Sequence, residues 1–325
     1  MKKTFFLLKL IFTTFLIYIL LTKLEFKSLS FESFELKYLF PIVILSSLKV
    51  FIAAVLWKLI VATSSIASLL KYIFIGLFFN NFLPTMVGGD FARFYLLKRE
   101  TGVSSPIAFA GIFLPRIWGL LLLVLTGIVG LLFHWRALDW RLLCILCISY
   151  PALLMLLFVV LHPKTFKLLE KSKPRSMILN KLRDFIKQYN AISEYFRGKR
   201  ILAILLLSAI IQITTYLNVY YFFRFSGEQI EFTYVLFFFP AVTLISMIPI
   251  ALNGLGISEA GFTYFSGLAG IIYPKAIMIS LVNRAAYVIM GLIGGVCFAI
   301  SKVNYAEIKK HQGEEKFGLK TDPTR

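Results

Sequence analysis

Seven apolar runs, each of roughly 20 residues, divide most of this chain. A helix of that length crosses the hydrocarbon core of a bilayer while it satisfies its own backbone hydrogen bonds. Apolar residues make up 59% of the 325 residues, and the mean hydropathy of +0.82 lies far above that of a soluble domain. We therefore expect an all-α polytopic membrane protein. The runs are Thr4–Thr22, Tyr38–Ala62, Pro106–Phe133, Leu142–Leu161, Ile201–Phe223, Thr233–Ile250 and Ala276–Ser301.

The net charge of +19 suggests a nucleic-acid partner, but the basic residues concentrate in segments that flank the apolar runs. The positive-inside rule and anionic lipid headgroups account for that distribution, so we expect no nucleic-acid partner. The cysteines Cys144, Cys147 and Cys297 lie within apolar runs and are expected to act as small hydrophobic residues. The histidines are scattered at segment ends. The sequence therefore predicts no metal site and no cofactor.

The charge of the connecting segments predicts the topology. The connection 163–200 carries 11 Lys or Arg residues against 3 acidic residues, which favours a cytoplasmic position. Eight full spans, with Tyr72–Phe82 as the additional one, would place this basic connection outside. If residues 72–90 and 233–259 each enter and leave on one side, six spans remain and both termini lie in the cytoplasm. We predict six spans and two re-entrant broken elements; eight full spans are the alternative.

Helix-breaking residues interrupt the chain within both proposed re-entrant elements, at Leu83–Arg93 and at Ile248–Glu259. Non-helical backbone at membrane depth persists only where it is buried in protein or lines water. Free N–H groups of helices that begin near Asp90 and Ser258 could cradle an anion such as a lipid phosphate. The simpler interpretation is a tight turn with glycines that allow close packing. The breaking residues are Pro84, Gly88 and Gly89 in the first stretch and Pro249, Asn253, Gly254 and Gly256 in the second.

An internal repeat relates the two stretches. Asp90 is followed 26 residues later by Arg116, and Glu259 is followed 25 residues later by Arg284; glycines punctuate the span after each arginine. Since the two elements are predicted to enter from opposite faces, the halves become inverted repeats, an arrangement that recurs in secondary transporters. We expect one membrane domain at 1–302, with repeats at about 4–133 and 142–301, and a cytoplasmic tail at 303–325.

Ionisable residues near the breaks are the candidates for substrate binding. A charge in the hydrocarbon region is costly and usually pairs inside the bundle, so structural pairs Asp90–Arg116 and Glu259–Arg284 are one interpretation. A forked guanidinium also suits phosphate, and we expect at least one of these arginines to contact substrate. Further basic candidates are Lys49, Lys58 and Arg93, the last within a run, Phe91–Arg99, that we expect at the cytoplasmic interface.

Two motifs, taken together, carry a resemblance to a known family. They are Asn81-x-x-Pro84 leading into Gly88-Gly89-Asp90-x-x-Arg93, and Pro249 leading into Asn253-Gly254-Leu255-Gly256-x-x-Glu259-Ala260-Gly261, with Arg116 and Arg284 in the spans that follow. Over roughly residues 5–302 the chain resembles the integral membrane domain of lysylphosphatidylglycerol synthases and its stand-alone, flippase-like relatives. The resemblance implies a bacterial or archaeal cell membrane and the movement of lipids, or lipid-linked intermediates, between leaflets.

The resemblance also bears on catalysis. In the bifunctional members of that family a soluble aminoacyl-transfer domain follows the membrane part. Here the sequence stops about 24 residues after the last apolar run, so we expect no aminoacylation of phosphatidylglycerol by this chain alone.

We predict that the protein flips an anionic phospholipid or a polyprenyl-linked lipid between membrane leaflets and that it is a transporter rather than an enzyme. Two rival functions stay open. One is a membrane glycosyltransferase that uses a polyprenyl-phosphate sugar, with Asp90 or Glu259 as base; the other is a non-catalytic partner of an envelope lipid enzyme. The predicted substrate-binding residues are Arg116, Arg284, Asp90, Glu259, Gly88, Gly89, Asn253, Gly254, Gly256 and Arg93.

Overall fold

The computed structural model describes residues 34–82, 88–161, 198–248 and 251–301, with a few more residues between 11 and 22. The predicted first span, Thr4–Thr22, therefore lies largely outside the described residues, as do the basic connection up to residue 197 and the tail. In chain order the helices of the described ranges are α1 (Leu39–Ile60, after a 3-10 turn at Leu36–Tyr38), α2 (Ile66–Phe82), α3 (Gly88–Thr101), α4 (Ser105–His134), α5 (Trp140–Leu161), α6 (Lys199–Phe225), α7 (Phe232–Ser246), α8 (Ile257–Leu268) and α9 (Tyr273–Ile300).

Five of these helices are long and apolar enough to cross a membrane: α1 with its preceding turn, α4, α5, α6 and α9. Their bounds lie within a few residues of the predicted apolar runs. Many of their large apolar side chains are exposed, for example Phe40, Leu132 and Ile148. Such side chains would be unfavourable in water, and they are what the lipid-facing side of a span requires. The protein is an all-α polytopic membrane protein, as predicted.

The two broken elements form helical hairpins, because α2 packs against α3 and α7 packs against α8. Helix α2 begins six residues before the apolar run Tyr72–Phe82. The hydroxyl of Ser65 accepts a hydrogen bond from the backbone N–H of Ser68 at 3.1 Å and so caps the helix start. At the open end of the hairpin the Tyr72 hydroxyl donates to Glu100 of α3 at 2.7 Å. Hydropathy alone did not reveal this polar first turn.

Each hairpin packs against the other half of the molecule: α2 lies along α9, and α7 lies along α4. Glycines make both contacts close. A Cβ atom on Gly294 of α9 would overlap the carbonyl oxygen of Phe74, and one on Gly130 of α4 would overlap the backbone of Phe237. Bare glycine at a crossing lets two helix backbones approach, as is common where lipid surrounds the bundle. Helices α1 and α6 also pack against each other, so each half completes the packing of the other.

Buried side chains form two hydrophobic clusters. The first joins α1, α2, α3 and the first part of α4, with Leu96 and Ala108 fully buried. The second joins α6, α7, α8 and the later part of α4, with Phe223 and Phe238 fully buried. Helix α4 therefore contacts both clusters along its length. The predicted substrate-binding residue Arg116 lies near the middle of this helix.

Candidate functional site

The first break brings α3 back along α2 at very short range. The side-chain oxygen of Asn80 accepts a hydrogen bond from the backbone N–H of Gly89 at 3.0 Å. A Cβ atom on Gly89 would overlap both the Gly76 carbonyl oxygen and the Asn80 side chain. Gly76 in turn leaves the space that the Arg93 side chain occupies. Gly89 is therefore required for close packing; Pro84 lies outside the described residues.

The second break uses left-handed backbone. Helix α7 ends at Ser246, and Asn253, Gly254 and Gly256 have φ angles of 49°, 68° and 84° before α8 begins at Ile257. Glycine enters this region without steric cost and asparagine tolerates it better than most residues do. The predicted interruption at these residues is present; Pro249 itself lies outside the described residues.

The two breaks meet. The side-chain amide of Asn253 donates to the backbone carbonyl of Asn80 at 2.8 Å. Next to it, the amide of Asn81 donates to the carbonyl of Tyr287 in α9 at 2.9 Å. Residues Asn80 and Asn81 thus tie the end of α2 to the second break and to the last span. Hydrogen bonds therefore join the interrupted segments of the two halves.

Asp90 forms the centre of the ion cluster in the first half. Its side chain is 5% exposed, and Arg116 Nη2 lies 2.6 Å from one carboxylate oxygen and 2.7 Å from the other. Arg93 Nη1 lies 3.5 Å from the same carboxylate, and Arg93 Nη2 donates to the carbonyl of Ile73 at 3.2 Å. One buried carboxylate therefore faces two guanidinium groups, and the expected Asp90–Arg116 pair is present.

A corresponding cluster exists in the second half. Arg284 Nε donates to Glu259 at 2.8 Å, and Arg284 Nη2 donates to the hydroxyl of Ser258. The other oxygen of Glu259 accepts from the N–H of Gly256 at 2.7 Å and from the Ser258 hydroxyl at 2.9 Å. Arg116 is the twelfth residue of α4 and Arg284 the twelfth of α9, so the two pairs occupy matching positions.

The two clusters differ in openness. The side chain of Arg116 is 48% exposed, whereas that of Arg284 is 24% exposed and bonds two residues of its own half. Two backbone N–H groups at the starts of α3 and α8, those of Gly89 and Gly256, already have partners. Gly89 bonds the Asn80 side chain, and Gly256 bonds Glu259, a carboxylate that caps α8 from within the chain.

A cavity of about 270 Å³ opens beside Arg116, between helices of both halves. Its charged lining residues within the described part of the chain are Lys49, Arg93 and Arg116, all cationic. Asp90, Glu259 and Arg284 do not line it. The Lys49 ammonium group lies 3.2 Å from the hydroxyl oxygen of Tyr287 and 4.7 Å from the centre of its ring. The uncharged polar lining residues are Ser46, Ser208, Gln212, Asn218, Asn283 and Tyr287.

Two donors at this cavity have no hydrogen-bond partner among the residues that the structure describes. They are the Nε–H of Arg93 and the hydroxyl of Ser208, both buried. A buried donor without a partner is costly. Five other buried side-chain oxygen atoms of the described residues also lack a partner, so this feature is not confined to the cavity. The accessible donors of the cavity are therefore those of its other polar and charged lining residues, Lys49 and Arg116 among them.

The structure gives the positions of Arg116 and of the run Phe91–Arg99 within the helix bundle. Arg116 lies inside α4, as the apolar run Pro106–Phe133 implies. The run Phe91–Arg99, expected at the cytoplasmic interface, belongs to α3, where Ala92, Leu96 and Leu97 are fully buried and the helix packs against α2 and α4.

The polar lining of the cavity was missed. Gln212 and Asn218 are isolated polar residues in an otherwise apolar span, and averaged hydropathy hides such residues. The position of each polar residue is informative where the average hydropathy of the span is not, because a polar side chain inside a span tends to face protein or water.

Comparisons with known proteins identify membrane proteins that are similar in sequence to this chain. A family profile described as the lysylphosphatidylglycerol synthase TM region matches residues 6–295. A UPF0104 membrane protein of Pyrococcus horikoshii is 22% identical over 292 residues, covering 81% of this chain and 86% of the relative. Another UPF0104 membrane protein, of Methanocaldococcus jannaschii, is 23% identical over 246 residues, covering 73% of this chain and 99% of the relative. No solved structure matches this chain.

The fold and the site define a polytopic helical membrane protein with two packed hairpins and a cationic cavity between its halves. Because the profile match spans nearly all of the sequence, the chain belongs to the family of the lysylphosphatidylglycerol synthase TM region.

Proposed function

We propose that this protein moves an anionic lipid between the leaflets of the cell membrane, with the lipid headgroup in the cavity and its chains in the bilayer. The observation that carries the proposal is the cavity lining, whose charged members are Lys49, Arg93 and Arg116. Cations buried at membrane depth are costly without a counter-charge and typically mark a substrate or ion pathway. An anionic headgroup would supply that charge.

The arrangement of the halves supports transport over simple binding. Each hairpin packs against the opposite half, and matching arginines stand in α4 and α9. In transporters built from inverted repeats, one half rocks against the other around a site near mid-membrane. We propose that the Arg116 side is open in this conformation and that Arg284, now bonded to Glu259 and Ser258, contacts the headgroup when the other side opens.

The glycosyltransferase alternative requires a free carboxylate base beside the substrate. Asp90 accepts hydrogen bonds from Arg116, and Glu259 accepts them from Arg284, Ser258 and Gly256. Neither carboxylate lines the cavity. Their role in this arrangement is to hold the arginines and to cap α8, which favours the translocase over the enzyme.

Leaflet transfer in vesicles tests the proposal. The purified protein in phosphatidylcholine vesicles should move tail-labelled anionic lipids, such as phosphatidate, faster than protein-free vesicles do. Chemical quenching of the outer leaflet over time gives the rate. No transfer above the protein-free rate for any labelled anionic lipid would overturn the proposal.

Gly119→Leu is expected to block this transfer without unfolding the protein. Gly119 lines the cavity, and a Cβ atom there meets no other atom within 4 Å, so the new side chain would fill headgroup space. We expect a loss of at least about tenfold in rate, because filling a preformed site excludes its ligand. Gly267→Leu is the matched control, since Gly267 is exposed on α8 with equally open surroundings. Transfer by the Gly119 variant at the wild-type rate would argue against headgroup passage through this cavity.

A further inference from the structure

The charge balance of the cavity identifies a more specific substrate than an anionic lipid. Arg93 and Arg116 share one carboxylate, that of Asp90. Lys49 has the side-chain hydroxyl of Tyr287, rather than a carboxylate, as its partner. In the second half, the charges of Glu259 and Arg284 neutralise each other, and neither residue lines the cavity. Three cations and one carboxylate leave two positive charges uncompensated by the described residues around the cavity.

A headgroup that matches this balance carries two negative charges. A phosphate monoester has a charge of about −1.5 to −2 at pH 7 and three terminal oxygens that accept hydrogen bonds. A phosphodiester lipid carries a single negative charge, and a zwitterionic headgroup brings its own cation. The half-exposed guanidinium of Arg116 and the ammonium group of Lys49 supply charged donors for terminal phosphate oxygens.

The volume of the cavity also favours a small phosphate headgroup. A volume of about 270 Å³ lies just below the range of roughly 300–1,000 Å³ that is typical of sites for drug-sized ligands. It suits a phosphate with its hydration better than an oligosaccharide carried on a lipid. Polar and basic groups surround the space from α1, α3, α4, α6 and α9, as expected for a compact group contacted from several sides.

We propose that the lipid this protein moves ends in a phosphate monoester, carried either on diacylglycerol, as in phosphatidate, or on a polyprenol. This inference rests on the proposed lipid transfer and specifies its substrate. The three cations Lys49, Arg93 and Arg116 are the residues that distinguish a monoester from a diester, through their combined charge.

Four tail-labelled lipids in phosphatidylcholine vesicles test the proposal: phosphatidate, its phosphate methyl ester, a polyprenyl monophosphate and its phosphate methyl ester. Each ester keeps the hydrocarbon part of its parent and removes one charge. At pH 8 the full-length protein should move at least one monoester about tenfold or more faster than its own methyl ester, after subtraction of the protein-free rate. Comparison of the two monoesters identifies the hydrocarbon carrier. Lowering the pH to 5 should narrow the preference, because the second phosphate pKa lies near about 6.

Lys49→Gln provides the charge control. Loss of this cation should reduce the monoester preference to about threefold or less, since one of the two uncompensated charges is gone. Lys37→Gln removes the same charge from the same span, but Lys37 is exposed, pairs with Glu35 and does not line the cavity, so its preference should match wild type.

Two kinds of result separate the monoester assignment from the proposed lipid transfer. Equal rates for each monoester and its ester, faster movement of the esters, or a preference that Lys49→Gln leaves intact would overturn the monoester assignment while lipid transfer stands. If none of the four lipids moves above the protein-free rate, both the assignment and the proposed transfer fail.

Discussion

Arg116→Gln is expected to stop lipid transfer and to destabilise the protein by about 3 kcal/mol. Asp90 is 5% exposed, and without Arg116 it would keep only the more distant Arg93, at 3.5 Å. A buried carboxylate that loses its closest partner is strongly destabilising, and the half-exposed position of Arg116 puts the effect at the lower end of the usual range. Thermal unfolding in detergent measures the stability, and the vesicle assay measures transfer.

The double variant Asp90→Asn/Arg116→Gln separates the structural role of this pair from its role towards substrate. Removing both charges avoids an unpaired carboxylate but leaves the buried Arg93 without Asp90, so we expect the melting temperature to return only part of the way to that of wild type. Transfer should stay low, because the cavity would still lack the exposed guanidinium. A double variant that is stable and moves lipid at the wild-type rate would reduce Arg116 to a purely structural residue.

Gly294→Ala and Gly130→Ala are each expected to destabilise the folded protein by about 3 kcal/mol, near the upper end of the usual overpacking range. In both cases the added methyl group would overlap backbone atoms of the opposing hairpin, at Phe74 and Phe237 respectively. Backbone cannot rotate away as a flexible side chain can, so the helices must separate. Melting temperatures of the purified variants measure the effect, and both should show the same direction because the crossings correspond.

Gly267→Ala is the matched control for these substitutions. Gly267 lies in helix α8 with no atom within 4 Å of an added Cβ atom. Alanine favours a helix over glycine by about 1 kcal/mol, so this variant should be as stable as wild type or slightly more stable. Wild-type stability of both crossing variants would contradict the close packing of the two halves.

The spanning helices could be predicted from sequence because lipid imposes a local rule. A span must be apolar over its whole length and must satisfy its own backbone. The apolar run Ala276–Ser301 accordingly differs from helix α9, Tyr273–Ile300, by only a few residues at its start and one at its end. Helix ends were less predictable where polar residues continue the helix, as at Lys199 of α6 and at the serine cap before α2.

The pairs within each half were also predictable, since Asp90–Arg116 and Glu259–Arg284 follow from the cost of isolated charges at membrane depth. The cavity was not. Lys49, Arg93 and Arg116 come from three helices of the first half, and residues of α6 and α9 from the second half complete the lining. The contact of Asn253 with Asn80, which joins residues 173 positions apart, carries no local signal in the sequence.

The central claim is that the positive charge of the cavity selects the lipid. The lipid that the purified protein retains tests this claim most directly. The protein would be incubated in mild detergent with equal amounts of phosphatidate and phosphatidylcholine, and the bound lipid identified by native mass spectrometry. We expect wild type and Lys37→Gln to retain phosphatidate in large excess, and Lys49→Gln to retain much less of it. Retention of both lipids in the proportion supplied, by wild type and Lys49→Gln alike, would contradict a cavity that selects its lipid by charge.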